Sequence, residues 1–154
     1  MKLSENFSLA EMTKSQTAIR KGIKNEPSTE HVENLIHLAK TVLQPIRDEF
    51  GRPVVISSGY RSPELCEAIG SSSKSQHAKG EAADFEIPGV DNMQLAMWIS
   101  KNTKFDQLIL EYYEPGDPNS GWVHCSAVRE GSRAQVLKAT KVEGKTKYEN
   151  ILLV

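Results

Sequence analysis

The residues of this chain with the clearest chemical potential lie in two short stretches, separated by forty positions. His77 and Asp84 lie in the first stretch, Ser75-Gln-His-Ala-Lys-Gly-Glu-Ala-Ala-Asp84, and His124 lies in the second, Trp122-Val-His-Cys-Ser126. Two imidazoles and a carboxylate are a usual ligand set for catalytic Zn²⁺, which keeps its fourth position for a water molecule and lowers the pKa of that water to about 7. These residues therefore predict a zinc-dependent hydrolase.

Hydrophobic periodicity and turn-forming residues predict the elements that must position these groups. The predicted helices open at Ser8 with a capping box to Glu11, cover residues 28–50 and 62–69, and begin again at Asp91. The predicted strands cover residues 54–58, 83–87, 105–112 and 121–126, and two edge strands follow in the tail, 135–154. Residues 14–27 are predicted to form a surface loop. This order predicts an α+β fold in which an antiparallel sheet carries helices on one side.

The alternation within the strand 83–87 places the ligands relative to the core. Asp84 points to one face of the sheet, while Ala83 and Phe85 point to the other face, which the core takes. His124 points from a neighbouring strand, so it meets Asp84 only if the zinc site lies on the open face of the sheet. Cys125, a weak candidate ligand, follows His124 directly and cannot share its face.

A metal-bound water needs a carboxylate within hydrogen-bond reach to act as general base. Glu111 is the first choice, because it lies late in the strand that precedes the His124 strand. A slip of one residue in the register of that hairpin would turn Glu111 to the other face. Three other acidic residues therefore remain alternatives for the base: Glu81, Glu86 and Glu114.

The run Ser75–Asp84, together with Trp122-Val-His124, resembles the zinc D-alanyl-D-alanine carboxypeptidase family of peptidoglycan peptidases. The segments 7–13, 56–62 and 105–109 resemble the compact, often phage-encoded members of that family, which share their fold with hedgehog-type domains. The resemblance implies Zn²⁺ held by His77, Asp84 and His124, and hydrolysis next to a D-amino acid in the stem peptide of peptidoglycan.

The resemblance also implies roles for residues around the metal. Arg61 follows the Ser-Gly-Tyr turn, where the family has an arginine that binds substrate or stabilises the transition state. The expected substrate contacts are Tyr60, Ser75, Gln107 and Trp122. Many members carry their base in a Glu-x-x-His motif, but this chain has Gly121 three residues before His124. Either Glu111 replaces that glutamate, or the activity is altered or lost.

Length and charge limit the partners and the location of the protein. The 154 residues fit one catalytic domain, 1–154, and 19 Lys and Arg against 20 Asp and Glu give a formal net charge of −1. This balance does not favour nucleic acid, and no apolar run approaches the ~18 residues of a membrane span. The N-terminus lacks the apolar core of a signal peptide. We expect a monomer that stays in the cytoplasm until it is released to the cell wall, or that is carried by a virion.

The sequence leaves the type of activity open between a carboxypeptidase that removes a terminal D-Ala and an endolysin-type endopeptidase. Two functions of other classes also remain. The first is a non-catalytic, zinc-stabilised binding module on the same fold. The absence of the Glu-x-x-His motif leaves this alternative open. The second is a phage structural or assembly protein, in which the polar cluster has no function. Turnover excludes the first alternative, and bound zinc excludes the second.

Overall fold

The computed structural model describes residues 1–153, in which a small β-ribbon is followed by helices that alternate with the strands of a sheet. The helices are α1 Leu9–Thr13, α2 Gln16–Lys21, α3 Thr29–Leu38, α4 Gln44–Phe50, α5 Pro63–Ala68 and α6 Asn92–Asn102. The strands are β1 Lys2–Ser4, β2 Phe7–Ser8, β3 Val55–Ser58, β4 Ala82–Glu86, β5 Gln107–Glu111, β6 Trp122–Ser126, β7 Gln135–Val142 and β8 Lys145–Asn150. None of the helices within residues 1–153 has the length and apolar character needed to span a bilayer.

The main sheet has six strands in the order β3-β4-β6-β5-β7-β8. All neighbouring pairs are antiparallel except β5 and β7, so the expectation of an antiparallel sheet is wrong for this one pair. The reason is the path of the chain. It leaves β6 at the end that pairs with the start of β5, crosses to the free edge of β5, and enters β7 beside Gln107.

The two faces of the sheet are chemically distinct, and this confirms the predicted α+β class and layering. One face contributes to the hydrophobic core, where the sheet supplies Ala83, Phe85, Leu108, Leu110, Val123 and Cys125. Buried residues of α3, α4 and α6 join this core. Asp84, His124 and Ile109 are register partners on the opposite face, which carries the candidate metal ligands.

The region predicted as a loop, 14–27, contains the helix α2 instead. The Ser15 side chain accepts a hydrogen bond from the N–H of Ala18, and Gly22 ends the helix with a φ of 65°. Because Ala18 is the one buried residue of this short helix, the sequence carries too little apolar periodicity to reveal it.

The predicted helix over residues 28–50 and the capping box at Ser8 are confirmed, and the long helix adapts to a proline. Ser8 caps α1, and Glu11 accepts a hydrogen bond from the Ser8 N–H. Pro45 has no N–H to donate to the preceding turn. The chain passes from α3 to α4 through a π-helical turn at Ala39–Leu43, directly before this proline.

Candidate metal centre

The three candidate ligands come from three elements that are fixed by local hydrogen bonds. His77 lies in a 3₁₀ turn, Gln76–Lys79, where the Ser75 hydroxyl accepts from the His77 N–H at 3.2 Å. Asp84 and His124 are direct partners on the antiparallel strands β4 and β6. The turn ends at Gly80, whose φ is 76° and where a Cβ would collide with the backbone of α3. Glycine therefore lets the turn pack closely enough to bring His77 to the sheet.

The donor atoms of these side chains fit a single metal ion. Oδ1 of Asp84 lies 2.8 Å from Nδ1 of His124 and 3.4 Å from Nε2 of His77. The three donor atoms lie within 4.8 Å of one another. Tetrahedral bonds of about 2.1 Å separate two ligand atoms by roughly 3.4 Å. His77, Asp84 and His124 could thus hold a metal, and two imidazoles with one carboxylate suit Zn²⁺.

A backbone carbonyl fixes the orientation of the His77 ring. Nδ1 of His77 lies 2.7 Å from the carbonyl oxygen of Gly59. Because that oxygen can only accept a hydrogen bond, Nδ1 carries the proton and Nε2 keeps its lone pair for a metal. Gly59 packs against the backbone of Met12, and a Cβ at Gly59 would collide with the carbonyl of Met12. The turn before Arg61 is thus built to support this ligand.

The Asp84 side chain keeps its negative charge in a site that is largely closed to solvent. Burial alone raises the pKa of the Asp84 carboxyl, but hydrogen bonds and charge from His124 and His77 outweigh burial and hold the pKa below its ordinary value. The side chain is 14% exposed. Asp84 therefore offers the two histidines and a divalent cation a carboxylate rather than a carboxylic acid.

The ligands lie in a cleft of about 670 Å³ that also contains most of the other predicted site residues. The predicted residues that line it, besides the three ligands, are Arg61, Ser75, Gln107, Glu111 and Trp122. Nε of Arg61 is buried and has no hydrogen-bond partner among residues 1–153. The indole N–H of Trp122 is also buried and acts on the Glu111 carboxyl, whose pKa it lowers. The cleft thus combines a metal-type donor set with a buried guanidinium N–H that no protein acceptor uses.

Tyr60 is not in this cleft, contrary to the prediction that it contacts substrate. Its side chain belongs to the hydrophobic core and is 3% exposed. Its hydroxyl lies 3.3 Å from Nδ1 of His31, on the side of α3. Tyr60 therefore supports the segment before Arg61 from the core side instead of facing a ligand.

Glu111 is the one candidate base that lines the cleft within the described residues. The β5–β6 register pairs it with Trp122 and thereby places it on the same face as His124. Burial raises the pKa of the Glu111 carboxyl, and the negative charge of Asp84 raises it further. Glu86 instead accepts a hydrogen bond from the Asn92 side chain, and Glu114 lies in an exposed loop. Glu81 lines a neighbouring groove.

The backbone explains why Gly121 replaces the glutamate of a Glu-x-x-His motif. Gly121 has a φ of 63°, and a Cβ at this position would collide with the carbonyl oxygen of Glu111. The end of β5 therefore occupies the space into which a side chain at position 121 would project. The carboxylate that does line the cleft, that of Glu111, lies on the neighbouring strand.

Cys125 does not take part in the site. It is fully buried on the core face of the sheet, opposite to its neighbour His124. Burial raises the pKa of its thiol well above the ordinary value, so the thiolate that a metal would require is disfavoured.

Several residues of the cleft were not predicted from the sequence. Ser71, Gln76 and Ile109 precede the His124 strand in the chain, and Arg133, Gln135, Leu137 and Tyr148 follow it. Ile109, Leu137 and Ala139 form a small apolar cluster on the open face, and Tyr148 lies beside Ala139 on β8. Period-two alternation marks Leu137 and Ala139 as one face of a strand. The parallel pairing that carries this face to the cleft has no local signal.

Arg133 is fixed by the buried carboxylate of Asp106. Its Nη2 lies 2.7 Å from Oδ2 of Asp106, and its backbone N–H donates to Oδ1 at 2.9 Å. The hydrogen bonds from Arg133, with the help of Gln76, lower the pKa of Asp106 from 3.8 to about 2, although burial opposes them. Asp106 therefore stabilises the folded chain fully above about pH 4, and this contribution is lost as the pH falls through about 2.

We expect Asp106→Asn to remove a pH-dependent part of the stability. The shift of the Asp106 pKa corresponds to about 2 kcal/mol in the free energy of unfolding. The stability difference between wild type and Asp106→Asn should therefore shrink by about this amount between pH 5 and pH 2. Urea unfolding of both metal-free proteins across this range measures the difference. A difference that stays constant over this range would contradict the assigned pair.

The chain belongs to the M15 peptidase family. The family model described as Peptidase M15 matches residues 5–126, which include the three candidate ligands, Arg61 and Glu111. Peptidases of this family are typically zinc-dependent, in agreement with the donor set of the cleft. No curated protein matches the chain.

Proposed function

We propose that this member of the M15 family is a zinc peptidase that hydrolyses stem-peptide bonds of bacterial peptidoglycan next to a D-amino acid. The observation that carries the proposal is the content of one cleft. It combines the His77, Asp84 and His124 donors with the partly buried carboxylate of Glu111 and the guanidinium of Arg61. These are the groups that peptide hydrolysis at a metal requires.

Each group has a definite task in this proposal. His77, Asp84 and His124 would hold Zn²⁺, which supplies a Lewis acid and lowers the pKa of bound water. Glu111 takes a proton from the attacking water and passes it to the leaving nitrogen. Its raised pKa brings its proton affinity closer to neutral pH, which suits a group that must both accept and donate a proton.

Arg61 would stabilise negative charge on the substrate. Its backbone N–H donates to the carbonyl of His77 at 3.1 Å, so its position is tied to a ligand-bearing turn. Its side chain forms no ion pair within residues 1–153, and a structural pairing with Glu64 is therefore not present there. The buried Nε is free to donate to an oxyanion or a substrate carboxylate.

We expect Arg61→Lys to damage catalysis although the charge is kept. Lysine cannot present the planar pair of N–H donors of a guanidinium. We expect kcat/KM on a stem peptide to fall at least tenfold, on the order of the loss of one charged hydrogen bond. The melting temperature of the zinc-loaded protein should stay nearly unchanged. A lower melting temperature with intact specific activity would assign Arg61 to the fold.

The other predicted contacts complete the substrate site in the proposal. Ser75, Gln107 and Trp122 line the cleft around the ligands. The indole N–H of Trp122 is buried beside the Glu111 carboxyl and lowers the pKa of that carboxyl by a hydrogen bond, so it helps to hold the proposed base. Gln107 is held by a hydrogen bond to Gln135 at 2.8 Å, which fixes one side of the cleft.

The experiment is digestion of purified peptidoglycan with zinc-loaded protein, followed by mass spectrometry of the products. Release of terminal D-Ala identifies a carboxypeptidase, and cleavage inside the stem or cross-bridge identifies an endopeptidase. A chelator should stop the reaction and added Zn²⁺ should restore it. If the zinc-loaded protein hydrolyses no stem peptide, the result would favour the second candidate function, a non-catalytic binding module. The absence of a Glu-x-x-His motif supports that candidate.

A further inference from the structure

Arg133 lies in the cleft but outside the part of the chain that the family model matches, residues 5–126. We propose that Arg133 binds a substrate carboxylate two or three residues before the scissile bond. The inference rests on the proposed function of the cleft. It adds a determinant of specificity to that function, because it selects peptides by an acidic group on the acyl side.

The guanidinium of Arg133 is held in place by one edge. Nε lies 3.1 and 3.2 Å from the two oxygens of Asp106, and Nη2 lies 2.7 Å from Oδ2. The Asp106 side chain is 3% exposed and also accepts from Nε2 of Gln76 at 2.9 Å. The arginine is therefore oriented by a buried, immobile carboxylate rather than by a surface ion pair.

Nη1 of the guanidinium is available to a ligand. Nη2 also donates to Oε1 of Gln76 at 3.4 Å, whereas Nη1 forms no hydrogen bond to residues 1–153, and the side chain is 52% exposed. A guanidinium with one edge fixed presents its free Nη1 donors in a defined direction, and a carboxylate is the acceptor that forms a charge-assisted hydrogen bond with them. Because the side chain is already ordered, binding costs less conformational entropy than at a free surface arginine.

Strand register places Arg133 and the candidate base on opposite sides of the ligands. His124, Ile109 and Leu137 form one row across the sheet. Glu111 lies two residues from this row in one direction, while Gln107 and Asp106 lie two and three residues away in the other. At 3.3–3.4 Å per residue, Asp106 and the guanidinium that it holds lie roughly 7–10 Å from the row of the ligands.

This arrangement fixes which part of the substrate faces Arg133. Glu111 must reach the leaving nitrogen, so the leaving residue lies on the side of Glu111 and the acyl part extends towards Arg133. An extended peptide advances about 3.3–3.6 Å per residue, so the group that meets Arg133 lies two or three residues before the scissile bond.

A second groove supports this direction for the acyl chain. It has a volume of about 710 Å³ and shares Gln76 and Arg133 with the catalytic cleft, so the two cavities meet at this arginine. The groove carries charges of both signs, including Lys79 and Glu81. A longer peptide that continues towards the glycan chain has room there beyond Arg133.

The test uses three synthetic stem pentapeptides. The first is L-Ala-γ-D-Glu-meso-diaminopimelyl-D-Ala-D-Ala, which has carboxylates two and three residues before the last peptide bond. The second replaces diaminopimelate with L-lysine, and the third replaces the γ-linked glutamate with isoglutamine. These two arms remove one carboxylate each and show which of the two Arg133 binds.

We expect zinc-loaded wild type to cleave the first peptide at least tenfold better, in kcat/KM, than one of the other two. Arg133→Gln should reduce this ratio to about one. Arg133→Lys keeps a cation beside Asp106 but lacks the planar N–H donors of a guanidinium, so it should also reduce the ratio. The ratio is measured within each variant and does not depend on how much of it is folded. Lys138→Gln, which removes another ion-paired cation, on β7 and outside the cleft, should keep the wild-type ratio.

The same peptides are titrated calorimetrically into metal-free protein, in which no turnover occurs. If Arg133→Gln binds the first peptide more weakly than wild type does, the inference is supported. This holds even if wild type hydrolyses none of the peptides, and only the proposed function would then fail. If wild type cleaves all three peptides equally, or if the preference survives in Arg133→Gln, the inference is wrong while the peptidase function stands. A preference that depends instead on the C-terminal carboxylate, tested with a C-terminal amide, would also overturn it.

Discussion

His124→Ala should lose the bound metal and reduce peptidase activity to the background rate. Removal of this imidazole leaves His77 and Asp84, and two protein ligands are fewer than a catalytic Zn²⁺ site requires. We expect about one zinc per chain in wild type and almost none in the variant, measured by elemental analysis after gel filtration. His37→Ala is the matched control, because His37 lies on α3 outside the cleft.

A thermal readout separates metal loss from misfolding. A ligand that binds only the folded state stabilises it, by about 2.7 kcal/mol at a hundred times its dissociation constant. Added Zn²⁺ should therefore raise the melting temperature of wild type and of His37→Ala, but not that of His124→Ala. Full zinc occupancy in His124→Ala would place the third ligand elsewhere. Cys125 is the nearest alternative by sequence, but it would have to leave the core face of the sheet.

The sequence was sufficient to predict that the three candidate ligands lie together, because strand alternation around Asp84 and His124 is a local signal. Alternation in the strand around Asp84 separates the core face from the open face, and His124 lies within a second recognisable strand. The direct pairing of these two residues across β4 and β6 then follows once the strands are neighbours. Alternation along a strand decides which face a side chain occupies, and this was enough to predict that the candidate ligands meet on the open face.

The rest of the cleft depends on long-range pairing that has no local signal. Glu111 remained one of four candidates, because only the register of β5 against β6 decides its face. Arg133 and Tyr148 reach the cleft through the parallel pairing of β5 with β7, which hydrophobic alternation does not encode. The prediction that Tyr60 contacts substrate was wrong, because its side chain is buried in the hydrophobic core.

Glu111→Gln should keep the fold and the metal but lower kcat by roughly 10²–10⁴, the usual contribution of a positioned general base. Glutamine has the shape of glutamate and cannot take up the proton of the attacking water. The metal ligands are untouched, so zinc content should match wild type. Steady-state kinetics on a stem peptide measure the loss, and Glu114→Gln, which changes an exposed carboxylate outside the cleft, is the control.

The pH dependence gives Glu111→Gln a second signature. Burial raises the pKa of Glu111, so the folded state disfavours the ionised carboxylate. The free energy of unfolding therefore decreases as the pH rises above 4.5, the ordinary pKa of a glutamate, where the unfolded chain loses this proton first. Metal-free Glu111→Gln should thus be at least as stable as wild type at neutral pH. Wild-type activity should fall on acidification through the raised pKa, and this acidic limb should be absent from the residual activity of the variant. Near-normal turnover in Glu111→Gln would exclude it as the base, and Glu81, Glu86 and Glu114 would then be tested by the same substitution.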